Sequence, residues 1–422
     1  GIRDLVLSLV GSEMCIRDSV TGEIKVSNLD WTPDGEYISY LAERGDDTVK
    51  SLWVIPVSGG ESRKLTDNIV SIKEYTWAPD SRRVAFLAKQ AIPKETCKLR
   101  KMGFDQEVYE EGLRDVHVWI HDIESEEYIP RRLELEGSAS SIRWSPDGKY
   151  LSMALAPTSL IDDRYMARKV CVVDVENGKL VHKFDNPGKL GDIAWSPDSK
   201  QIAFISGADI NDPSAGEILA GRIEDGKLLP VLTSIDGHVR NLDWLDKNTI
   251  LYRMNRHVHA IIGTIKLDGS QQETLIGEGE TAYEDVVLSD NGKTVAMTGS
   301  SFNHPWELYY FDVGRNKPTR LTNSNPNWAD LRFAPQEVVT YTARDGLELE
   351  GILIHPLDEV PGQKYPLILQ VHGGPESNYL NRWMTWHAGP GQIAAARGFA
   401  VFYPNYRGST GRGVEFSKMG QA

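Results

Sequence analysis

The chain has 422 residues, of which 40% are hydrophobic, and a formal net charge of −14. This length suits two domains or one large repeat array with substantial cores, and no apolar run is long enough to span a membrane. Because the negative charge is spread along the chain, binding to nucleic acid or to an anionic membrane surface is not expected. The cysteines, Cys15, Cys97 and Cys171, are too scattered for a disulfide framework or a metal-ligand cluster, which fits a reducing compartment such as the cytoplasm.

The first residues, GIRDLVLSLVGSEMCIRDS, share no pattern with the sequence that follows. Their apolar run LVLSLV is short for a signal peptide, and no small-residue cleavage site follows it cleanly. We interpret residues 1–19 as a non-native leader that resembles translated sequencing-adaptor read-through. No targeting is inferred from it.

A motif of Trp-x-Pro-Asp followed by Gly or Ser recurs along the first three quarters of the chain. Its copies start at Trp31, Trp77, Trp144 and Trp195, a decayed copy starts at Trp244, and a sixth, LSDNG, starts at Leu288. Each copy continues with an alternating strand, a second apolar strand, a hairpin turn and a closing strand. The spacing is close to the length of one four-stranded propeller blade. The sequence therefore predicts an all-β propeller over residues 20–335, with six recognisable blades here and seven in the intact protein.

The Trp and the Asp of this motif have both a structural and a functional interpretation. A Trp at the start of a blade's first strand packs against neighbouring sheets, and an Asp in the turn caps backbone N–H groups. We therefore predict that both residues are structural.

The longest interval between copies contains an insertion at about residues 90–115 with the run VYEEGLRD. Glu110 and Glu111 of this run have two interpretations. They could bind the terminal ammonium group of a substrate, or they could lie on a solvated helical turn.

Two histidines, His257 and His259, lie two residues apart. On a strand they would point to the same face and could share a metal ion. Since no third ligand is evident nearby, no metal site is predicted.

The pattern changes in residues 336–422. EVVTYTARDGLELEGILIHP predicts two strands around an Asp-Gly turn, and PLILQV and FAVFYP predict short buried strands. A helix is predicted between them in GQIAAARG. This succession favours the parallel sheet of an α/β domain, of which only the N-terminal part is present. An incomplete sheet would leave an edge of FAVFYP and the apolar face of PLILQV uncovered and would promote aggregation.

The stretch QVHGGPESN, from Gln370 to Asn378, follows the first of these short strands. The propeller repeats, then RDG-x-x-LEG-x-L, then YPLILQVHGGP and AARGFAVFYPNYRGSTGRG, resemble in this order the prolyl oligopeptidase family of serine peptidases. Within it, they resemble the acylaminoacyl-peptidase and dipeptidyl-peptidase-like branch, over nearly all of residues 20–422. The resemblance implies a propeller that caps an α/β-hydrolase domain, a short peptide substrate, and acyl transfer to a serine. No cofactor is implied, and a homo-oligomer is compatible with the sequence.

The resemblance assigns HGGP to the oxyanion hole, whose N–H donors stabilise the tetrahedral intermediate. The donor is the backbone N–H of Gly374, with that of Gly373 as second choice, because glycines let a carbonyl approach closely. Four further residues are expected to support the site, namely His372, Pro375, Arg407 and Gly408. The alternative is that HGGP is only a turn at the end of a strand.

The nucleophile is the missing part of this site. A nucleophile elbow needs Gly two residues before and after the Ser, so Ser409 does not qualify because position 407 is Arg, and the chain contains no Gly-x-Ser-x-Gly. We therefore expect the Ser, Asp and His of the triad to lie beyond Ala422, and this fragment to be inactive. Two alternatives remain open, a non-enzymatic propeller binding module of the TolB-like type and an esterase.

Overall fold

The computed structural model describes residues 24–421, apart from Asp46, Pro375 and the side chain of Ala329. The interpretation of residues 1–19 as a leader therefore lies outside the described residues. Within the described part of the chain, no helix is long and apolar enough to cross a membrane.

The chain divides into two compact units at the junction between Phe184 and Asp185. This junction lies between two blades of the predicted repeat. The predicted domain boundary between residues 335 and 336 does not coincide with this junction, and it stays a prediction.

The first unit contains three four-stranded antiparallel sheets, each built from strands that follow one another along the chain. The strands are β1 (Ser27–Trp31), β2 (Tyr37–Ala42), β3 (Ser51–Pro56), β4 (Arg63–Lys64), β5 (Ile72–Trp77), β6 (Arg83–Lys89), β7 (Val116–Asp122), β8 (Arg131–Arg132), β9 (Ser138–Trp144), β10 (Tyr150–Ala156), β11 (Lys169–Asp174) and β12 (Leu180–Phe184). Two short helices interrupt them, α1 (Lys94–Lys101) and α2 (Ile161–Met166).

The second unit continues with three more sheets of the same kind. Their strands are β13 (Leu190–Trp195), β14 (Gln201–Ser206), β15 (Glu217–Arg222), β16 (Leu228–Leu232), β17 (His238–Asp246), β18 (Thr249–Arg256), β19 (His259–Lys266), β20 (Glu273–Ile276), β21 (Ala282–Leu288), β22 (Thr294–Ser301), β23 (His304–Asp312) and β24 (Thr319–Arg320). The six successive antiparallel sheets confirm the predicted propeller blades.

The motif residues are structural, as predicted, but the expectation that the Trp begins a blade's first strand is wrong, because strands such as β5 (Ile72–Trp77) and β9 (Ser138–Trp144) end at it. The later Trp indoles are buried and donate to the preceding sheet: Nε1 of Trp144 lies 3.1 Å from the Thr76 carbonyl oxygen, and Nε1 of Trp244 lies 3.0 Å from that of Ala194. Trp31 is 41% exposed, and the described residues contain no sheet before its strand. The turn Asp acts as a cap, since Oδ1 of Asp147 accepts from the Ser145 hydroxyl at 2.7 Å and from the Lys149 amide at 3.1 Å.

After a 3₁₀ turn (Pro326–Asp330), the last part of the second unit forms a mixed sheet with two flanking helices. Its elements are β25 (Gln336–Thr342), β26 (Glu348–Ile354), β27 (Leu367–Leu369), α3 (Gly391–Ala395), β28 (Ala400–Asn405) and α4 (Gly413–Lys418). The parallel pair β27–β28, joined through α3, confirms the predicted α/β unit.

The strand order of this sheet is β25-β26-β28-β27, so β28 lies in its interior. The expectation that FAVFYP forms an uncovered edge is therefore wrong, because β26 pairs antiparallel with β28. The expectation for PLILQV is confirmed, since Leu367 and Leu369 on β27 are each 58% exposed. One edge of this sheet is thus the strand that leads into HGGP, and the other edge is β25.

Candidate active site

The HGGP loop begins where the parallel strand pair ends. The amide of Gln370 donates to the Phe402 carbonyl at 2.9 Å, so the parallel pairing continues to the residue before the loop. Beneath it, Val401 and Tyr403 of β28 are fully buried in the core of the mixed sheet. The loop therefore starts from a fixed point at the carboxyl end of β27, the side of a parallel sheet where ligands bind in open α/β folds.

The ring of His372 contacts four residues of this loop region. It stacks on Tyr406, with ring centroids 4.5 Å apart, and its edge meets Tyr379. Nδ1 lies 3.0 Å from the Gly373 carbonyl oxygen, which only accepts, so Nδ1 carries the proton. Nε2 then accepts from the Ser409 hydroxyl at 3.0 Å.

Burial lowers the pKa of His372, and the Gly373 carbonyl opposes this shift only in part. The imidazole is therefore neutral at pH 7 and occupied at both nitrogens. His372 thus contacts both the HGGP loop and the loop after β28, and its supporting role stays a prediction.

The two glycines of the loop differ in conformation. Gly374 has φ 128°, a value that favours glycine, and a Cβ built there would lie 2.5 Å from the Glu376 nitrogen. A Cβ at Gly373 would meet nothing within 4 Å. Both residues are exposed, and among the described residues none accepts a hydrogen bond from either amide. Both N–H groups are therefore free to donate to a ligand, while Pro375, also predicted to support the site, lies outside the described residues.

The loop after β28 braces HGGP from the other side. The Tyr406 hydroxyl donates to the His372 carbonyl at 2.8 Å, and the guanidinium of Arg407 pairs with Asp345 at 2.6 Å. Gly408 has φ 89°, and its amide donates to the Phe416 carbonyl. The side chain of Ser409 is fully buried, so it is no accessible nucleophile. Arg407 and Gly408 contact other parts of the scaffold, and their predicted supporting role remains a prediction.

Asn378, at the end of the same loop, joins the mixed sheet to the propeller sheet β17–β20. Its Nδ2 donates to the His257 carbonyl at 2.9 Å, and its Oδ1 accepts from Asn255 at 2.7 Å and from Thr410 at 2.9 Å. The turn between β18 and β19 also places Val258 in the core of the mixed sheet. Sequence reasoning missed Asn378 and Asn255, because they lie 123 positions apart and no local pattern signals their contact.

His238 is a second link between the two sheets. The Gly411 amide donates to Nδ1 of His238 at 2.9 Å, so Nε2 carries the proton, and it is buried with no partner among the described residues. Burial, reinforced by the positive charge of Arg240, lowers the pKa of His238 to about 4. Protonation of Nδ1 would place an N–H against the Gly411 N–H and break this link.

We expect the stability of this unit to fall in mild acid because of His238. The pKa of His238 is lower in the folded chain than in the unfolded chain, so its contribution to the free energy of unfolding is complete above about pH 6.5. That contribution is lost as the pH falls towards 4, by up to about 3 kcal/mol. In His238→Asn, Oδ1 takes the place of the Nδ1 acceptor without titrating. Urea unfolding from pH 7 to pH 4 should therefore show a steeper loss for the natural chain than for the variant. Parallel curves would contradict the assignment.

The pKa of His257 is shifted in the opposite direction to that of His238. The hydrogen bond to Glu350 raises its pKa against the effect of burial, and Asp236 adds to the shift. The contribution of His257 to the free energy of unfolding is therefore complete below its pKa in the unfolded chain. It is lost as the pH rises through the raised pKa of the folded chain. The expectation that His257 shares a strand with His259 is wrong, because His257 has φ 54° and lies in the β18–β19 turn.

A cavity of about 290 Å³ opens beside the HGGP loop. Its lining includes Glu376, Ser377 and Asn378, which closely follow Gly374, and side chains of β17, β18 and β21 such as Arg253. Lys189 pairs with Glu376 of this lining. The loop that carries the candidate oxyanion donors thus shares a cavity with the propeller sheets.

The structure places Glu110 and Glu111 in a turn of the insertion, both exposed, and not on a helix. Glu111 lines a separate pocket of about 610 Å³. That pocket has a surplus of cationic side chains, from Lys73, Lys89, Arg100, Arg114 and Arg164. Such a lining favours a carboxylate over an ammonium group. Amine binding by these two residues stays a prediction.

The relatives of this chain are peptidases. It is 25% identical to the uncharacterized peptidase YuxL of Bacillus subtilis over 94% of the chain and 63% of the relative. It is 23% identical to dipeptidyl aminopeptidase BIII of Pseudoxanthomonas mexicana over 98% of the chain and 63% of the relative. It is 25% identical to a probable dipeptidyl-peptidase 5 of Aspergillus niger over 65% of the chain and 39% of the relative. The chain thus spans less than two thirds of these relatives, and no protein-family model matches it.

Solved structures share its fold. An acylaminoacyl peptidase in complex with Z-Gly-Gly-Phe-chloromethyl ketone matches with a TM-score of 0.70 and 19% identity, over 93% of this chain and 59% of that one. A prolyl endopeptidase matches with a TM-score of 0.68 and 16% identity, over 94% of this chain and 56% of that one. The chain thus combines the fold of these solved structures with relatives that are peptidases along most of its sequence.

Proposed function

We propose that this chain carries the propeller and the oxyanion-hole loop of a serine peptidase that acts on short peptides. The observation that supports this most directly is the pair of exposed amides at Gly373 and Gly374, for which the described residues offer no acceptor, in a loop that goes on to line a cavity with the propeller sheets. In such a peptidase the N–H of Gly374 donates to the carbonyl oxygen as it becomes negative in the tetrahedral intermediate.

The surroundings of the loop suit this role. The neutral His372 ring and the Tyr406 hydroxyl fix the carbonyl side of the loop, so the amides of the following residues face away from these contacts. Donors that are held in place before the reaction need no reorganisation when charge develops. His372 is a positioning residue in this proposal.

The names of the relatives support a peptide substrate, from which dipeptides or acylated residues are released. One solved structure of this fold holds a peptide chloromethyl ketone. Since the 422 residues contain no Gly-x-Ser-x-Gly, we propose that the Ser-Asp-His triad lies outside them. From the scattered cysteines, with Cys171 buried as a free thiol, we also propose a cytoplasmic location.

The reading frame of the gene beyond Ala422 tests this proposal. A longer chain with a Gly-x-Ser-x-Gly should hydrolyse dipeptidyl- or acetylaminoacyl-nitroanilides and should lose this activity with an organophosphate. Mass spectrometry of the products from unblocked and acetylated peptides would show which end group is released. An intact frame without that motif, or a longer chain that hydrolyses esters but no peptide, would contradict the proposal.

A further inference from the structure

The cavity beside the HGGP loop contains a buried arginine whose hydrogen bonding is incomplete. Arg253, on β18, is 3% exposed. Its Nε donates to the Tyr283 carbonyl at 3.0 Å, but its Nη2 has no acceptor among the described residues. The carboxylate of Glu284 lies 3.6 Å from Nη2 and is held by Arg382 at 2.5 Å. Because a buried guanidinium without an acceptor is costly, this position favours a ligand oxygen.

Asn255 presents the complementary group on the same strand. Asn378 must donate its Nδ2 to the His257 carbonyl, so its Oδ1 accepts, and Asn255 must offer Nδ2 to it. The Oδ1 of Asn255 is therefore the atom left over, and it is buried with no donor among the described residues. Residues two apart on a strand point to the same face, so Arg253 and Asn255 offer an unused donor and an unused acceptor side by side.

The charges around the cavity limit the ligand. The lining contains three arginines and three carboxylates, with Arg382 paired to Glu284 and Glu376 paired to Lys189. A multiply charged anion such as a phosphate would be repelled by these carboxylates. Burial lowers the pKa of Arg253 to about 10, so the group stays cationic at neutral pH. One negative charge with an adjacent hydrogen-bond donor fits the unused groups.

We propose that this cavity binds the C-terminal residue of a peptide, with its α-carboxylate on Arg253 and its amide N–H on Asn255. The last residue of a peptide carries a single carboxylate and an N–H donor within one residue's reach, which matches the two unused groups. This inference rests on the proposed function and adds the substrate class to it, peptides with a free C-terminus.

The position of the cavity also sets a length. From Gly374 to Asn378 the loop spans four residues, at most roughly 14 Å. An extended peptide covers this distance with about four residues at roughly 3.3 Å each. The bound carboxylate would therefore lie within about four residues of the carbonyl under attack, which limits the number of residues that follow the scissile bond.

Binding to the 422-residue chain tests the site without the need for a nucleophile. The probes are N-acetyl-alanyl-alanine, its C-terminal amide, and N-acetyl-aspartyl-alanine amide, whose only carboxylate is on a side chain. By calorimetry we expect the free acid to bind at least about tenfold more tightly than either amide. Arg253→Met should remove this difference. Arg256→Met should keep it, because Arg256 is half-exposed and paired with Glu278 at 2.8 Å outside the cavity.

Equal affinities of the acid and its amide for the natural chain, or no binding up to about 10 mM, would overturn the inference even if Arg253→Met did not fold. Equal binding of the aspartyl amide would also overturn it, because the site would then select any carboxylate. Hydrolysis by a longer chain is measured separately. Activity without selectivity for the acid would remove only this inference, whereas selectivity without activity would remove the proposed peptidase function and leave the site.

Discussion

The 422-residue chain should hydrolyse no aminoacyl- or dipeptidyl-nitroanilide faster than buffer, and a fluorophosphonate should label none of its serines. The sequence contains no nucleophile elbow, and Ser409, whose hydroxyl contacts His372, is fully buried. Its hydroxyl donates to His372, whose other nitrogen faces a carbonyl and not a carboxylate. In serine peptidases the loss of the triad costs on the order of a million-fold in turnover, so oxyanion stabilisation alone leaves no detectable rate.

The control for this experiment is the same chain extended through the next Gly-x-Ser-x-Gly of its gene, prepared and assayed in parallel. Ser409→Ala in the 422-residue chain controls for the buried serine. Turnover that an organophosphate blocks in the natural 422-residue chain would disprove the assignment of the nucleophile to another part of the protein. If Ser409→Ala removed that turnover, Ser409 would be the nucleophile.

In the extended peptidase, Gly374→Ala should lower kcat by about 10²- to 10³-fold, the usual effect of losing one oxyanion donor. A Cβ at this position would lie 2.5 Å from the Glu376 nitrogen, and φ 128° is unfavourable for alanine. The loop must therefore rearrange and turn its N–H away from the developing charge. Steady-state kinetics on one nitroanilide substrate would separate kcat from KM.

Gly373→Ala is the matched control. It keeps the backbone N–H, and its Cβ meets nothing within 4 Å in the structure. We expect kcat to stay within a few-fold of the natural enzyme, with any loss in KM because the methyl group faces the approaching substrate. Equal losses of kcat in both variants would show that the loop serves only as a turn. Urea midpoints of both variants would exclude a loss of folded protein as the cause.

The pattern of short elements could be predicted from the sequence because local rules set it. The Trp-x-Pro-Asp turns connect the first and second strands of their blades, since a capped tight turn and an alternating strand are properties of a few adjacent residues. The parallel pair β27–β28 followed from two apolar runs around a short helix. The HGGP loop followed from its place after such a strand, together with the resemblance of its flanks.

Only the tertiary structure decided which strand forms the edge and which groups meet across the sheets. β26 pairs with β28, which turns FAVFYP into an interior strand, and strand order depends on contacts that no local period encodes. In the sequence, Arg253 and Asn255 are ordinary polar residues of a predicted alternating strand. Their unused groups become visible only when Asn378, distant in sequence, takes up one side of the Asn255 amide. Local sequence determines which elements form, whereas satisfaction of buried polar groups depends on partners that folding brings together.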